Sequence, residues 1–199
     1  MNKTKIEWTD IFNGNRGYIA GYIAGMTDGD GTFKMPTYKN TYRENQWYWR
    51  IAVKDKAILK RVRQYLRRLG IRLNIRPFYG DIYKIETRKA NILIRIKKIT
   101  TPSEINKDFK RGYLAGIFDA EGNWHRSNLR IYNSNQEIRN RIITYANDFG
   151  FRFIEEIYPS QKVNGVRLKG DRFDQAKFLC VIKSVKSKWY LRHIFWDEH

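Results

Sequence analysis

Two glycine-rich segments of the chain each end in a pair of acidic residues. The pairs are Asp28 with Asp30 and Asp119 with Glu121. Two carboxylates held close together repel each other, and a divalent cation relieves that repulsion. Mg²⁺ commonly binds one or two carboxylates together with phosphate oxygens of a substrate. These residue types point to metal-dependent chemistry on a phosphate, with Asp-Gly turns that merely end two helices as the alternative.

The acidic pairs belong to a repeat that divides the chain into two copies of one unit. Tyr22–Gly31 aligns with Tyr113–Gly122 without a gap, at an offset of 91 residues. Further along, Arg50–Leu73 aligns with Arg130–Phe153 at an offset of 80 residues. Repeated units of this size indicate duplicated structural elements. Each acid of one copy therefore has an equivalent in the other.

The elements that position the acids are two predicted helices, Arg16–Thr27 and Lys110–Phe118. Residues four apart lie on one face of a helix, and each interior glycine destabilises a helix by about 1 kcal/mol relative to alanine. The compensation we predict is close packing of one helix backbone on the other, which brings the acids after the two C-terminal ends together. The residues at this four-residue spacing are Gly17, Gly21, Gly25 and Gly29 in the first copy, and Gly112, Gly116 and Ala120 in the second.

Hydrophobic periodicity predicts an α+β fold in which each copy has the order αββαββα. The best-patterned helices are Lys56–Leu69, ended by Gly70, and Gln136–Phe149, preceded by the capping-box pattern Ser134 to Glu137. The lysines and arginines of the first of these, Lys60 to Arg68, are predicted to form a solvated face. The predicted division is an N-terminal extension 1–15, a first repeat 16–99, a linker 100–107 and a second repeat 108–199.

The net charge and the number of aromatic residues point to a folded protein whose partner is a polyanion. Lys and Arg number 39 against 20 Asp and Glu, a net charge of +19, and Trp, Tyr and Phe number 6, 13 and 11. Disordered basic tails lack aromatic residues, whereas basic folded domains bind nucleic acids. An anionic membrane is the weaker candidate, because the longest stretch without charge, Gly17–Thr27, is too short to span a bilayer.

Cysteine usage and the N-terminus predict a reducing, cytoplasmic setting. Cys180 is the single cysteine, which excludes a disulfide framework, and its place in the apolar run Phe178–Ile182 predicts a buried thiol. Met1–Asp10 contains no apolar run, so no signal peptide is expected.

Ile23–Gly31 and Leu114–Gly122 resemble the nine-residue motif of the LAGLIDADG homing endonucleases. The chain from about residue 16 to 195 is similar to a monomeric, single-chain member with two repeats. The resemblance implies that the motif helices form a pseudo-twofold seam and that curved antiparallel sheets form a DNA-binding saddle. It implies a partner, double-stranded DNA, and a reaction, staggered hydrolysis of one phosphodiester on each strand.

The resemblance also implies the roles of the acids. Asp30 and Glu121 hold the motif's eighth position, that of the metal-binding catalytic acid, and the preceding carbonyls of Gly29 and Ala120 are further candidate ligands. The sixth-position acids are implied to be structural. The implied cofactor is Mg²⁺, with Mn²⁺ as a substitute and Ca²⁺ supporting DNA binding without cleavage.

Polar and basic residues are expected around the metals in this family. By alignment they are Lys54, or its neighbour Val53, and Asn133, which follow the strand before each long helix. A further basic residue near the C-terminal helix is Lys186 or Lys188. A solvated surface position is an equal alternative for each lysine.

DNA reading is expected on the sheets, since arginine reads guanine edges and asparagine reads adenine. Alternation places Trp47, Trp49 and Ile51 on one face of a strand and Tyr48 and Arg50 on the other, without deciding which face meets DNA. The candidate contacts are Lys34, Arg43, Arg50, Arg72, Asn74, Arg76, Lys84, Arg126, Asn128, Arg130, Arg152, Lys162, Arg167 and Lys169.

Two other functions use the same fold. One is a maturase that binds its host intron RNA, which loss of either acid would favour. The other is a catalytically silent DNA-binding regulator. Both acids are present, so the sequence favours the nuclease.

Overall fold

The computed structural model describes residues 13–35, 47–125, 127–158 and 163–196. No helix in these ranges is long and apolar enough to cross a membrane. The first unit consists of α1 (Arg16–Asp28), β1 (Gly31–Lys34), β2 (Tyr48–Val53), α2 (Lys56–Arg68), β3 (Ile75–Tyr79), β4 (Ile82–Thr87) and α3 (Ala90–Thr100). The second consists of α4 (Lys107–Glu121), β5 (Gly122–His125), β6 (Asn128–Tyr132), α5 (Gln136–Asn147), β7 (Phe153–Tyr158), β8 (Val163–Leu168) and α6 (Arg172–Ile182), and α7 (Val185–Trp196) follows.

The predicted order αββαββα is present twice, but the start of α4 and the residue that caps α5 differ from the prediction. Helix α4 begins earlier than predicted because the side chain of Asn106 accepts a hydrogen bond of 2.9 Å from the backbone N–H of Phe109 and caps it. Helix α5 is capped by Asn135, whose side chain accepts from the N–H of Glu137 at 2.9 Å. The predicted capping box starting at Ser134 is therefore wrong by one residue. Residues 101–106 connect α3 to α4.

The strands form two antiparallel sheets of the same topology. One has the order β1-β2-β4-β3 and the other β5-β6-β8-β7. Their registers correspond, because Ile51 lies opposite Ile85 in the first and Ile131 lies opposite Val166 in the second. All four of these side chains are fully buried. One face of each sheet thus packs on helices, and the face carrying the alternate residues, here called the open face, does not.

Helices α1 and α4 pack on each other as the seam between the two units. A Cβ atom added at Gly21 would collide with the carbonyl oxygen of Phe109, and one added at Gly116 would collide with the carbonyl oxygen of Tyr22. The two backbones are therefore in direct contact, and the helices run in the same direction. The predicted seam of glycine-bearing helices is confirmed.

Two predictions about exposure are wrong. Cys180 is exposed, because its neighbours Phe178 and Leu179 take the buried side of α6 and successive helix residues are turned by about 100°. Arg61, predicted to lie on a solvated face of α2, is buried. Its guanidinium donates to the backbone carbonyl of Lys183 at 2.6 Å and lies 4.0 Å from the carboxylate of Asp119.

Candidate active site

The two eighth-position acids lie at the same end of the seam. Glu121 is the last residue of α4, and Asp30 follows Gly29, the residue that ends α1. The pKa of Asp30 is raised to about 6, first by burial and then by the nearby carboxylate of Glu121, while the ammonium of Lys186 opposes both effects. Burial also raises the pKa of Glu121, again opposed by Lys186. The two carboxyl groups are half-buried, and their raised pKa values mean that the site disfavours the ionised form. Perturbed pKa values of this kind are common at functional sites.

Two cavities flank these acids. The first, of about 340 Å³, is lined by Asp30, Ala52, Val53, Lys54, Asp55, Ile58, Ile82, Asp119, Ala120 and Lys186. The second, of about 450 Å³, is lined by Asp28, Gly29, Glu121, Tyr132, Asn133, Ser134, Asn135, Ile138 and Asn164. We call them the first and second half-sites.

The half-sites are equivalent under the repeat. Each contains an eighth-position acid, with the end of the strand and the start of the long helix from the same unit. Each also contains two motif residues of the other unit, which are Asp119 and Ala120 in the first half-site and Asp28 and Gly29 in the second. Contributions from both units explain why the sites lie at the seam and depend on its packing.

The predicted polar residues lie in these cavities. Lys54 lines the first half-site at its exposed edge and forms an ion pair of 3.1 Å with Asp81. Its alternative, Val53, lines the same cavity with a buried side chain. Asn133 lines the second half-site, where its side-chain oxygen accepts from the N–H of Asn135 at 2.9 Å. Their placement agrees with the prediction, and their roles stay predictions.

Lys186 is a component of the first half-site. Its ammonium donates to the carbonyl of Gly122 at 2.9 Å and to that of Ala120 at 3.4 Å. Burial lowers its pKa, and the neighbouring carboxylates, Asp119 and Asp30 foremost, oppose this. The lysine comes from α7, a helix that follows the second unit and has no counterpart between α3 and α4. Its alternative, Lys188, lines an adjacent cavity that it shares with Lys186.

The sixth-position acids stabilise the seam through hydrogen bonds that cross it. Asp119 is buried and accepts from the hydroxyl of Tyr22 at 2.6 Å and from the backbone N–H groups of Val185 and Lys186 at 2.8 and 2.9 Å. Burial and the carboxylate of Asp119 raise the pKa of Tyr22, which keeps its hydroxyl a donor. These contacts match the structural role implied for the acid and also cap the N-terminus of α7.

The same arrangement recurs in the other unit with the partners exchanged. Asp28 accepts from the hydroxyl of Tyr113 at 2.7 Å and from the guanidinium of Arg141 at 2.5 Å. Tyr113 and Arg141 are the repeat equivalents of Tyr22 and Arg61. The roles of these four residues were not predicted, although their identity between the two copies was the signal that could have revealed them.

A divalent cation fits the donors at this end of the seam. Among the described residues no group of three or more His, Cys, Asp or Glu side chains is placed to hold a metal ion. The donors available are the carboxylates of Asp30 and Glu121, which destabilise each other when ionised, and nearby backbone carbonyls. Such a set is incomplete without water or phosphate oxygens, as is usual for Mg²⁺ and unusual for a structural metal.

The predicted DNA contacts in the described ranges lie on the open faces of the sheets or in the segments next to the strand ends. Each of them alternates along the chain with residues that pack into the core, such as Trp49, Ile85, Leu129 and Leu168. Arg43, Arg126 and Lys162 lie outside the described residues. The residues placed on the open faces are Lys34, Arg50, Arg76 and Lys84 in the first unit, and Asn128, Arg130 and Arg167 in the second. The segments next to the strand ends contain Arg72, Asn74, Arg152 and Lys169.

Comparison with known proteins finds the same architecture elsewhere. Residues 17–98 match the family model described as a LAGLIDADG-like domain. Homing endonuclease I-DmoI of Desulfurococcus mucosus is 26% identical over 155 residues, which are 70% of this chain and 75% of that protein. A crystal structure of I-DmoI in complex with DNA and Ca superposes with a TM-score of 0.65 at 21% identity, covering 84% of this chain and 90% of the other.

A second kind of protein shares the fold. Full-length DUF199/WhiA from Thermatoga maritima superposes with a TM-score of 0.65 at 15% identity, covering 91% of this chain and 60% of that one. These similarities confirm the predicted two-repeat α+β fold with motif helices at the seam.

Proposed function

Because this chain carries a LAGLIDADG-like domain and has the two-repeat LAGLIDADG fold, we propose that it is a homing endonuclease, which makes a metal-dependent double-strand break in a specific DNA site. The observation that carries the proposal is the pair of repeat-related half-sites at one end of the seam, each with one half-buried acid. Two equivalent sites allow one site to cut each strand of a DNA duplex. I-DmoI, the curated relative, is itself a homing endonuclease.

Each half-site is assigned one strand of the duplex. Asp30 in the first half-site and Glu121 in the second hold the metal, with the carbonyls of Ala120 and Gly29 as further ligands. Mg²⁺ is the proposed ion, with Mn²⁺ as a substitute and Ca²⁺ supporting binding alone; when bound, it polarises the phosphate and stabilises the leaving oxygen. Structures of I-DmoI with DNA contain Mn or Ca.

The other polar residues of the half-sites act on solvent and on the phosphate. Lys186 places a cation in the first half-site, close enough to act on both acids, and in this proposal it stabilises negative charge that develops on the phosphate of the first strand. Lys54 in the first half-site and Asn133 in the second lie where they can order water or contact a phosphate oxygen. Each half-site therefore has its own eighth-position acid, and the two half-sites differ in the other polar residues.

Recognition of the target is assigned to the open faces of the two sheets. Their basic and amide side chains supply both phosphate contacts and base readers. The two sheets belong to one chain, so a single copy carries both half-sites, and we propose that the protein acts as a monomer.

The two alternative functions are not favoured. An RNA-binding maturase or a silent regulator has no need for two acids held half-buried against their own repulsion. Both acids occupy equivalent positions in cavities open to a substrate.

The experiment that tests the proposal starts from a randomised duplex library, since the target sequence is unknown. The purified protein is incubated with the library and Mg²⁺, and the ends of cut molecules are sequenced. The proposal expects a restricted sequence cut on both strands with a constant stagger. Absence of cutting, or cutting without sequence restriction, would contradict it.

A further inference from the structure

The open face of the second sheet carries a carboxylate between two arginines. Glu156 accepts from Nε of Arg130 at 2.7 Å through one oxygen and from Nε of Arg167 at 2.7 Å through the other. Arg130 and Arg167 are directly opposite each other on neighbouring antiparallel strands. Like charges in such a pair repel, so Glu156 both relieves that repulsion and holds both guanidinium groups in one orientation.

The open face of the first sheet has the same combination of charges. Glu86 lies 3.5 Å from the guanidinium of Arg50 and 3.3 Å from the ammonium of Lys84. Arg50 also lies over the rings of Tyr48 and Phe78, at 4.9 and 4.6 Å from their centroids. Stacking and the ion pair together restrict its orientation.

The two carboxylates do not occupy equivalent positions of the repeat. The register that pairs Arg130 with Arg167 in the second sheet pairs Arg50 with Glu86 in the first. Glu86 therefore corresponds to Arg167, and the second sheet supplies its carboxylate from the neighbouring strand β7 instead. In each sheet one carboxylate contacts two basic side chains. The carboxylates come from different positions of the repeat, so the arrangement was not inherited from the duplication.

Neither stability nor affinity accounts for these acids. Partly exposed ion pairs contribute about 0–1 kcal/mol to folding. On a surface that binds a polyanion, each carboxylate weakens the attraction to every phosphate nearby. A gain remains in specificity. Arg130 and Arg167 are held through Nε, so their terminal nitrogens keep a defined direction, as bidentate reading of guanine O6 and N7 requires. Arg50 is held through its terminal nitrogens, by Glu86 and by the hydroxyl of Tyr48 at 3.3 Å, which likewise fixes the plane of its guanidinium.

We propose that Glu86 and Glu156 are specificity-determining positioning residues of the two DNA-reading faces. Each lowers affinity for DNA in general and raises discrimination between sequences, by orienting Arg50 with Lys84 and Arg130 with Arg167. This inference rests on the proposed function, since it takes double-stranded DNA as the ligand of the open faces.

The test compares the parent with Glu86→Gln and Glu156→Gln, which keep shape and remove charge. Glu104→Gln is the matched control, because Glu104 is exposed between α3 and α4, at the opposite end of the seam from the active-site acids. Each protein, in Ca²⁺, is bound to a randomised duplex library whose bound fraction is sequenced, and is titrated with one fixed duplex that the parent does not select. Thermal melting checks that all four are folded.

Glu156→Gln is expected to bind the fixed duplex several-fold more tightly and to lose about tenfold in discrimination at the base pairs under the second sheet. Glu86→Gln is expected to do the same at the other end of the site, and Glu104→Gln to change neither. If the parent selects a sequence and both variants select it with undiminished discrimination, the inference is overturned while the proposed function stands. If the parent selects no sequence, the proposed function fails and the inference fails with it.

Discussion

The hydroxyl of Tyr22 donates a hydrogen bond of 2.6 Å to the buried carboxylate of Asp119 across the seam between the two units. The second crossing contact, from Tyr113 to Asp28 at 2.7 Å, repeats it with the units exchanged. Each motif thus supplies one acid that accepts a hydrogen bond across the seam and, two positions later, one acid that lines a half-site. The geometry of the candidate active site depends on these two Tyr–Asp contacts, which we call the seam locks.

The two locks differ in burial, and we expect them to differ in their contribution to stability. Asp119→Asn leaves the buried guanidinium of Arg61 without its nearest carboxylate, a change expected to lower the free energy of unfolding by about 3 kcal/mol. Asp28→Asn is the matched control, since Asp28 and Arg141 remain partly exposed, and it should cost about 1 kcal/mol. Urea unfolding measures both. Equal losses of unfolding free energy would show that burial of Asp119 and Arg61 does not increase the contribution of their contact to stability.

The seam predicts intolerance of bulk at its glycines. Gly21→Val and Gly116→Val place branched side chains against the backbone carbonyls of Phe109 and Tyr22, and each should lower stability by about 3 kcal/mol. Lys60→Val, which puts the same residue on an exposed position of α2, controls for helix propensity. Thermal melting and target cleavage are measured together. A glycine variant that melts and cleaves like the parent would refute direct backbone contact.

The raised pKa of Asp30 predicts a pH-dependent effect of Asp30→Asn in metal-free buffer. The ordinary value for this group is 3.8, and the folded protein raises the pKa to about 6. Well below pH 3.8 the carboxyl is protonated in both states and the substitution is neutral. Between pH 4 and pH 6 the folded state retains a proton that the unfolded chain loses, so the parent loses stability relative to the variant as pH rises.

Above pH 6 the whole cost of ionising Asp30 is present, and Asp30→Asn should be more stable than the parent by about 1–2 kcal/mol, allowing for solvent screening. Unfolding in a chelator at pH 4 and pH 8 measures the difference, with Glu104→Gln as the control for removing an exposed charge. A stability gain that is the same at both pH values would mean that Asp30 is not desolvated.

Binding to DNA should depend steeply on salt. Each phosphate neutralised contributes about −0.9 to the slope of log K against log salt concentration, so contacts from two basic sheets give a slope of several units. Lys169→Gln, at an exposed position directly after β8, should lower the slope by about one, and Lys107→Gln, at the far end of the seam, should leave it unchanged. A flat titration would argue against a nucleic-acid surface.

The seam and the acids could be predicted from the sequence because they depend on local spacing. Glycines at intervals of four residues and an acid after each stripe are visible in one helix at a time, and duplication shows them twice. The element order followed from the same repeat. The start of α4 and the residue that caps α5 could not be predicted, since several neighbouring residues could cap the backbone where Asn106 and Asn135 do.

The contacts that cross between units could not be predicted from periodicity. Arg61 belongs to a helix rich in arginine and lysine, and only the packing of α2 and α7 around Asp119 shows that this one is buried. Lys186 was one of two lysines that suited the site, and the hydrogen bonds to the carbonyls of Ala120 and Gly122 distinguish it from Lys188. Such distinctions depend on tertiary positions, which local spacing does not contain.

Cleavage of supercoiled plasmid by the two acid variants tests the central claim, that Asp30 and Glu121 each serve one strand. A plasmid bearing the selected target is incubated with Mg²⁺ and the parent, Asp30→Asn or Glu121→Gln, and uncut, nicked and linear forms are quantified on one gel. We expect linear product from the parent, at most nicked product from each variant, and retained DNA binding by both variants in Ca²⁺. Linear product at the parental rate from either variant would contradict the central claim.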